Sequence, residues 1–579
     1  MILNQMKADT LFLNARVVNV FTEEIQDLDV AVKDGLFLAF GNDFRAEKTV
    51  DLKGRYMVPG LIDAHVHIES SMATPFNFAE AVMARGTTTC IADPHEIANV
   101  AGLAGIEYMM KSARESLMNI LFALPSCVPA TTMETAGAVL DAGQLKKMIN
   151  HGKIVALAEM MNYPGVIFKD PGVMAKIELA RSSGKPIDGH APGLTGRDLA
   201  MYTGCGILSD HECTDASGAR EKLRLGMHIM IREGTCAKNL DDLFPAINDI
   251  TYTRMMWCTD DRHPGDILSQ GHIDHIIRKA IKKGLDPVRA IKMGTLNTAD
   301  YFNILDAGAV APGRRADFII MDDLEEFKTG RVFVRGIPWD EYGLKRTGYG
   351  QNSVRSGETS YPSVMNINKE DVDFSIPVKD SCNETCLIRV IEAVEDQVVT
   401  GEKLCRLKPE NGFLLPDIDQ DILKIAVVER YSSNSGSAMG FVTGMGLKTG
   451  AIASSVAHDS HNIIIIGTND RDIKKAFGKV VDMKGGFCVV RDNTIVEALA
   501  LPVAGLMSDK SLKEIDAGMD KVLKAVCSLG SGLKDPFMTM GFLALPVIPH
   551  LKITDHGIVD VNKFKIVDLF VNNDQQSDQ

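Results

Sequence analysis

The sequence predicts an α/β protein in which a TIM-like (β/α)8 barrel carries a small accessory β domain and a C-terminal α/β domain. Short apolar strands alternate with helical stretches over residues 61–305, and eight such repeats are typical of a closed parallel barrel. The flanks, 1–60 and 306–347, show strand patterns only, which indicates one sheet built from both. A chain of 579 residues also exceeds a single core, and 363–579 reads as a further domain.

The barrel strands are predicted from short apolar runs that polar residues terminate. The eight predicted strands are Leu61–His67, Thr87–Asp93, Ile120–Pro125, Ile154–Met160, Pro186–His190, Gly206–Glu212, His228–Arg232 and Met255–Asp260. Helical patterns such as Ala101–Met118 and Gly172–Ser183 lie between them. Gly271–Asn303 is predicted to be helical with interruptions at Gly and Pro, which completes the strand–helix alternation.

The flanking regions change to a β pattern broken by Asn, Asp and Gly. The predicted strands there are Leu11–Leu13, Ala15–Val20, Asp29–Val32, Leu36–Phe40, Ala316–Met321 and Arg331–Arg335. Gly348–Pro362 is rich in Gly and Ser, which indicates a linker. Beyond it, strands such as Ile425–Glu429 and helices such as Asp516–Cys527 predict a separate α/β domain.

Charge and composition exclude several classes of function. A net charge of −14 argues against a nucleic-acid partner, because phosphate binding needs a basic face. Met1–Val20 lacks the pattern of a signal peptide, and no apolar stretch is long enough to cross a membrane. The 11 cysteines are scattered without zinc-site spacing, so we expect reduced thiols in a cytoplasmic protein.

His65 and His67 end the first predicted barrel strand as a His-x-His pair. Residues two apart in a strand point to the same side, so the two imidazoles can converge on one metal ion. Imidazole binds Zn, Fe, Mn and Ni, so the pair alone does not identify the metal.

The other predicted strands also end in histidines or carboxylates. Barrel enzymes hold their working residues at these carboxyl ends, and these side chains are the ligands of hydrolytic metal sites. The candidates are His65, His67, Asp93, His95, Glu96, Glu159, Asp188, His190, Asp210, His211, Glu212, Asp260, Asp261 and His263. For His228, His550 and His556 we expect ordinary structural roles.

The run His458-Asp459-Ser460-His461-Asn462 is dense in polar groups between Ala-rich and Ile-rich stretches. It is either a surface loop or a segment that covers the barrel mouth or adds to the substrate pocket.

Several motifs resemble those of the amidohydrolase superfamily. Pro59-Gly60-Leu61-Ile62-Asp63-Ala64-His65-Val66-His67, His190, His211 and Thr259-Asp260 resemble its metal ligands, and Pro312-Gly313-Arg314-Arg315-Ala316-Asp317 resembles the return of its accessory β domain. Within the superfamily, the closer resemblance is to the adenine deaminases of bacteria. It is carried by Ile68–Met72, Ala92–Val100, Glu159–Val166, Asp188–Pro192, Cys258–Pro264 and Ala457–Asn462.

The resemblance implies a hydrolytic deamination of adenine to hypoxanthine and ammonia, a step of purine salvage. It implies a binuclear Mn²⁺ or Fe²⁺ centre, with Zn²⁺ as an alternative, and a homodimer or larger homo-oligomer. The chemistry is consistent, because a metal lowers the pKa of bound water and so supplies hydroxide at neutral pH. Positioned carboxylates then transfer protons to the ring nitrogen and the leaving amine.

From the resemblance we expect His65, His67 and Asp260 at a first metal, Glu159 as a bridge, and His190 and His211 at a second metal. The expected catalytic residues are Glu159, Asp260 and Asp261, and the expected substrate-binding residues are Asp93, Glu96, Asp261 and His458.

Two departures from relatives matter. Many binuclear relatives use a modified lysine where this chain has Glu159, so a carboxylate bridge is inferred. Mononuclear purine deaminases have a glutamate after the fifth-strand histidine, but here His190 is followed by Ala191-Pro192-Gly193. Glu159, Asp93, Glu96 and Glu212 therefore remain candidates for the proton donor.

Two other functions fit the sequence less well. A cyclic amide hydrolase of the dihydroorotase or hydantoinase kind is disfavoured by the missing fourth-strand lysine. A catalytically dead scaffold is disfavoured because all the expected ligand types are present. The sequence leaves open whether a third ion binds near Asp93 and His95.

Overall fold

A computed structural model describes residues 7–41, 43–340, 364–378, 384–395, 397–433 and 436–571. Contacts divide the chain into two compact units, which are described separately. Unit 1 comprises Met1–Pro94, Glu107–Ser126 and Asp141–Thr359, and unit 2 comprises His95–Ile106, Cys127–Leu140 and Ser360–Gln579. The predicted linker Gly348–Pro362 lies outside the described residues.

Unit 1 begins with five strands. They are β1 (Ala8–Asn19), β2 (Glu24–Lys33), β3 (Leu36–Phe40), β4 (Ala46–Asp51) and β5 (Tyr56–Pro59). The predicted runs Leu11–Leu13 and Ala15–Val20 prove to be one strand, because a register shift between Phe12 and Ala15 accommodates the break at Asn14. Asn14 has φ +54°, a left-handed conformation that asparagine tolerates better than most residues.

Eight parallel strands follow, close to the predicted positions. They are β6 (Leu61–Val66), β7 (Thr87–Ala92), β8 (Asn119–Leu124), β9 (Ile154–Met160), β10 (Ile187–Gly189), β11 (Ser209–Asp210), β12 (His228–Arg232) and β13 (Met255–Cys258). One sheet has the order β10-β9-β8-β7-β6, and a second has the order β11-β12-β13. Isolated parallel bridges join Val66 to Asp260 and Ile187 to Ile207.

Helices connect these strands, as expected for parallel pairing. They are α1 (Pro75–Met83), α2 (His95–Arg114), α3 (Ala142–Leu145), α4 (Tyr163–Ile167), α5 (Pro171–Ser182), α6 (Gly196–Gly204), α7 (Ala216–Arg224), α8 (Leu240–Leu243), α9 (Pro264–Ser269), α10 (Ile273–Lys282), α11 (Pro287–Met293) and α12 (Leu296–Tyr301), with 3-10 turns at Ile68–Ser71, Phe244–Ala246 and Thr251–Arg254. The predicted interruptions within Gly271–Asn303 are confirmed by the ends of α10 and α11.

Strands β6, β7 and β8 are buried along their whole length, which explains their continuous apolar runs. Side chains such as Ile62, Ile91, Ala123 and Met256 pack into one apolar cluster. Polar residues take over where the strands end, and those ends carry the site described below.

The first sheet of unit 1 is completed after α12. Its last strands are β14 (Phe318–Met321), β15 (Arg331–Val334) and β16 (Ile337–Pro338), and its order is β16-β15-β14-β5-β1-β2-β3, with β4 beside β1. Strands from both flanks thus share one sheet, as the sequence predicts. Phe12, Phe37, Phe318 and Phe333 form its core.

Unit 2 contains a mixed sheet and a three-stranded sheet. Its strands are β17 (Cys386–Ala393), β18 (Thr400–Leu407), β19 (Leu423–Val428), β20 (Ser437–Thr443), β21 (Ala451–Ser454), β22 (Ile463–Gly467), β23 (Gly486–Arg491), β24 (Thr494–Ala500), β25 (Leu551–Thr554), β26 (Gly557–Asp560) and β27 (Lys565–Val567). Its helices after β22 are α13 (Asp470–Asp482), α14 (Leu512–Ser528) and α15 (Pro536–Phe542). Strands and helices together confirm the α/β class predicted for this region.

Two further observations bear on the sequence predictions. Among the described residues, no helix is long and apolar enough to cross a membrane. Cysteines such as Cys90 and Cys258 are free, but Cys386 is disulfide-bonded, so the prediction of reduced thiols is wrong at that residue.

Candidate metal centre

Four histidines surround the carboxylate of Glu159 in unit 1. His65 is the penultimate residue of strand β6, and His67 follows that strand directly. Glu159 is the penultimate residue of β9, while His190 and His211 come directly after β10 and β11. Carboxyl ends of parallel strands meet at one edge, so residues distant in sequence converge here.

One oxygen of Glu159 faces the His-x-His pair. Oε1 lies 3.4 Å from Nε2 of His67 and 3.8 Å from Nε2 of His65. The two imidazole Nε2 atoms lie 3.1 Å apart, as the alternation of side chains along a strand predicts. Nδ1 of His67 lies 3.1 Å from the carbonyl oxygen of Asp93, a contact that orients the ring.

The other oxygen of Glu159 faces the second pair of histidines. Oε2 lies 2.7 Å from Nδ1 of His190 and 3.2 Å from Nε2 of His211. Each carboxylate oxygen thus faces two imidazoles, an arrangement that suits a ligand shared by two cations.

Asp260 completes the cluster from beyond the end of β13. Its Oδ1 lies 2.9 Å from Nε2 of His67, and its Oδ2 accepts a hydrogen bond of 2.8 Å from Nη1 of Arg232. The same guanidinium donates to Glu212. Asp260 has φ +56°, and such left-handed non-glycine residues cluster at functional sites.

The donor set fits divalent metal ions. His65, His67, Asp93 and Glu159 form one group whose ligand atoms lie within 4.8 Å of one another. The other groups in unit 1 are His65, His211 and Asp260, and Glu159, His190 and His211. Nitrogen and carboxylate donors of this kind bind Mn²⁺, Fe²⁺ and Zn²⁺, and all except His190 are buried.

The pKa values of these groups follow from burial and from their neighbours. Burial raises the pKa of Glu159, but the His211 and His190 imidazoles outweigh it and hold that pKa well below its usual range. Burial lowers the pKa of His211, but the Glu159 carboxylate outweighs this and raises that pKa to about 9. Without metal, protonated imidazoles therefore provide the positive charge beside the Glu159 carboxylate, and metal binding must displace those protons.

Asp63 holds the backbone of the ligand-bearing segments by hydrogen bonds. Its carboxylate accepts hydrogen bonds from the backbone N–H groups of His65 (3.2 Å) and Thr259 (3.1 Å). Nε2 of His272 lies 3.3 Å from Oδ2 of Asp63. Burial raises the pKa of Asp63 to about 7, although these hydrogen bonds lower it. These contacts fix the backbone that carries His65 and Asp260.

The structure brings together most of the predicted site residues. His65, His67, Glu159, His190, His211 and Asp260 form the cluster, and Asp93 belongs to one of its groups. Asp261 accepts a hydrogen bond from Oγ of Ser70. His263 belongs to none of the groups found among the described residues.

Two predicted substrate-binding residues belong to unit 2. Nδ1 of His458 lies 2.7 Å from Oε1 of Glu96, and contact of either residue with substrate stays a prediction. The surface-loop alternative for residues 458–462 is wrong, because all five side chains are buried. The polar groups of this segment pair with one another and with other buried groups, and these hydrogen bonds offset the cost of burying them.

Sequence reasoning missed Arg232 and Ser70. Arg232 is the last residue of β12 and so lies at a strand end where working residues are expected, but it is neither a histidine nor a carboxylate. A buried cluster of carboxylates needs cations to balance its charge, so an arginine at a neighbouring strand end could have been predicted as their partner.

Residues 56–338, which contain the candidate metal centre, match the model of the amidohydrolase family. Residues 397–565 match the model of the adenine deaminase C-terminal domain. The chain is 48% identical over 563 residues to a protein named adenine deaminase from Desulfatibacillum aliphaticivorans, with 97% of each chain covered. It is 45% identical to one from Dehalococcoides mccartyi and 44% identical to one from Kosmotoga olearia, again with 97% of each chain covered. The chain therefore belongs to the adenine deaminase family.

Proposed function

We propose that this chain is a metal-dependent hydrolase that converts adenine and water into hypoxanthine and ammonia. The observation that carries the proposal is the position of Glu159, whose two oxygens each face a pair of histidines. Relatives named adenine deaminase match nearly the whole chain and support the substrate. The reaction breaks the bond between the amino nitrogen and ring carbon 6 and forms a carbon–oxygen bond there.

The chain's own residues would hold two cations. His65, His67 and Asp260 would bind the first, His190 and His211 the second, and Glu159 would bridge them; the geometry of Glu159 supports this. When bound, the metal supplies a hydroxide nucleophile near neutral pH. We propose Mn²⁺ or Fe²⁺, with Zn²⁺ also compatible with nitrogen and carboxylate donors.

Asp260 is proposed as the general base. Burial raises its pKa, but Arg232 and His67 outweigh burial and hold that pKa well below its usual range, so the carboxylate is ionised at neutral pH. Its Oδ1 lies among the ligand atoms, where it can accept the proton that the attacking water loses. That proton is then passed toward the amino group, which must be protonated to leave.

The remaining proton transfer needs a donor for the ring nitrogen beside carbon 6. Both oxygens of Glu159 already face imidazoles, which leaves Asp93 and Glu212 as the candidates in unit 1. Asp261, which accepts from Ser70, is proposed to bind the imidazole edge of the purine.

Other parts of the proposal concern the whole protein. Closure of strands β6–β13 into a (β/α)8 barrel is supported by the bridges between Val66 and Asp260 and between Ile187 and Ile207. We also propose an accessory domain of 1–60 and 306–347, a barrel of 61–305 and a C-terminal domain of 363–579. A homodimer or larger assembly in the cytoplasm is proposed from the family resemblance.

The alternatives are less well supported. A cyclic amide hydrolase would be expected to bridge its metals with a modified lysine, and Glu159 occupies that position. A dead scaffold would be expected to lose ligands, whereas the complete set lies within one cluster.

The decisive experiment incubates the Mn²⁺-loaded protein with adenine and, separately, with adenosine, and follows ammonia release and the ultraviolet change to the oxo-purine. We expect turnover of adenine but not of adenosine, and loss of turnover in Asp260→Asn, which lacks the proposed base. The matched control Asp198→Asn alters an exposed aspartate of α6 and should keep full activity. Inactivity toward adenine with two ions verified as bound would refute the substrate assignment.

A further inference from the structure

Unit 2 contains a second buried cluster of histidines and carboxylates, which the proposed reaction does not use as metal ligands. The ligand atoms of Glu96, His458 and His461 lie within 4.8 Å of one another. His95, Glu96 and Asp459 form a second group that shares Glu96. All five side chains are less than a tenth exposed.

Three imidazoles converge on the carboxylate of Glu96. Nδ1 of His458 lies 2.7 Å from Oε1, and Nε2 of His95 lies 3.4 Å from the same oxygen. Nε2 of His461 faces the other oxygen, Oε2. More than 360 residues separate Glu96 from His458 in sequence, so tertiary packing and not proximity along the chain brings them together.

The protein positions these imidazoles independently of the carboxylate. The ring of Phe542 stacks on that of His458, with centroids 4.8 Å apart and planes 14° from parallel. The backbone N–H of His461 donates to the carbonyl oxygen of Ala457 at 2.7 Å. His461 also adopts φ +54°, a conformation that costs free energy for a residue with a Cβ atom. The imidazoles are therefore preorganised, as in a ligand site.

The charges around the cluster leave room for a cation. The carboxylates of Glu96, Glu134, Asp459 and Asp555 are all buried, and Arg430 is the buried guanidinium among them. Buried carboxylates are usually paired with cations or coordinate metal ions, so this set suits a divalent ion.

We propose that Glu96, His458 and His461 bind a first-row divalent cation in unit 2, with His95 and Asp459 as additional ligands. Two imidazoles and one carboxylate suit Zn²⁺, Fe²⁺ or Mn²⁺, and an oxygen-only ion such as Mg²⁺ is a poor match. This site is separate in its ligands from the centre around Glu159, and it does not depend on the proposed function.

Hydrogen bonding provides the competing explanation. The backbone N–H of Ala457 donates to Nδ1 of His461 at 3.2 Å, which in a neutral ring puts the proton on Nε2, toward Glu96. In that case the imidazoles simply solvate a buried carboxylate. This explanation predicts that no metal binds beside Glu96.

The test measures metal content by mass spectrometry after the protein is loaded with Mn²⁺ or Zn²⁺ and freed of excess metal. We expect about three ions per chain in the unaltered protein, two around Glu159 and one in unit 2. Glu96→Gln and His461→Asn should each lower the content by about one ion, because each removes a ligand of the proposed site. The matched control His556→Asn, at an exposed histidine of unit 2, should leave the content unchanged.

A second measurement keeps the proposal testable if these variants misfold. Crystals of the unaltered, metal-loaded protein should show an anomalous scattering peak at the metal edge between Glu96, His458 and His461. Absence of that peak, with peaks present around Glu159, would overturn the proposal and favour hydrogen bonding alone. His65→Asn should lose ions around Glu159 and keep the peak in unit 2, so the two sites can be judged separately.

Discussion

Unit 1 and unit 2 each gather histidines around one buried glutamate, yet they do so differently. In unit 1, each oxygen of Glu159 faces two imidazoles, and the ligands end different parallel strands. In unit 2, Oε2 of Glu96 faces His461, and two of the three imidazoles come from one short segment. A carboxylate with two imidazoles on each oxygen can therefore bind two cations, whereas the arrangement around Glu96 suits one.

The electrostatics of the two clusters also differ. The pKa of His211 in unit 1 is raised to about 9, because the Glu159 carboxylate outweighs burial. The pKa of His461 in unit 2 is lowered to about 4, because burial outweighs the attraction of Glu96. In unit 1 the imidazoles are surrounded by ionised carboxylates, including that of Asp260. Arg232 keeps Asp260 ionised by lowering its pKa.

The largest expected effect separates the two glutamates. Glu159→Gln removes the charge that both proposed ions share, so we expect the loss of both ions around it and a fall in kcat/KM of at least about 10³-fold. Glu96→Gln should keep those two ions. Metal content and adenine turnover, measured on both variants, check this. Exposed Glu178→Gln in α5 is the control, and equal loss of metal in Glu159→Gln and that control would contradict the assignment.

The second expected effect concerns Arg232. Among the described residues, the ion-pair partners of Glu96 are histidines, and no arginine takes a similar place there. Arg232→Gln removes the guanidinium that lowers the pKa of Asp260, so that pKa should rise. A base must be ionised to act, so the acid limb of the pH profile of kcat/KM should move to higher pH. We expect kcat/KM at neutral pH to fall by about 10–100-fold, as for groups that orient metal ligands.

Exposed Arg224→Gln in α7 serves as the control for Arg232. A lower kcat/KM with an unshifted acid limb would mean that Arg232 acts only in packing.

A third expected effect is the pH dependence of metal binding in unit 1. His211 keeps its proton in the metal-free protein up to about pH 9, and a metal ligand must be neutral. Binding therefore releases a proton below that pH, so the apparent affinity should rise with pH by about tenfold per unit for each proton displaced, and level off above pH 9. Competition with a chelator of known affinity measures it, and an affinity independent of pH below neutrality would contradict the mechanism.

Much of unit 1 follows from local sequence patterns. The strands from Leu61 to Cys258 were predictable because strands buried on both faces need continuous apolar runs. The convergence of His65, His67, His190 and His211 was predictable because parallel strands present their carboxyl ends at one edge. Arg232 was not found, because its role depends on two carboxylates that come from other strands.

The α/β class, the strand-end ligands of unit 1 and the resemblance to the adenine deaminase family all follow from local sequence patterns. The burial of residues 458–462, and the contacts of His458 and His461 with Glu96, are evident only in the tertiary structure. The physical reason is range: periodicity and turn residues act over a few positions, so they predict elements and their ends. Pairing of a glutamate with histidines more than 360 residues away has no local pattern, because only the packing of unit 2 brings these groups together.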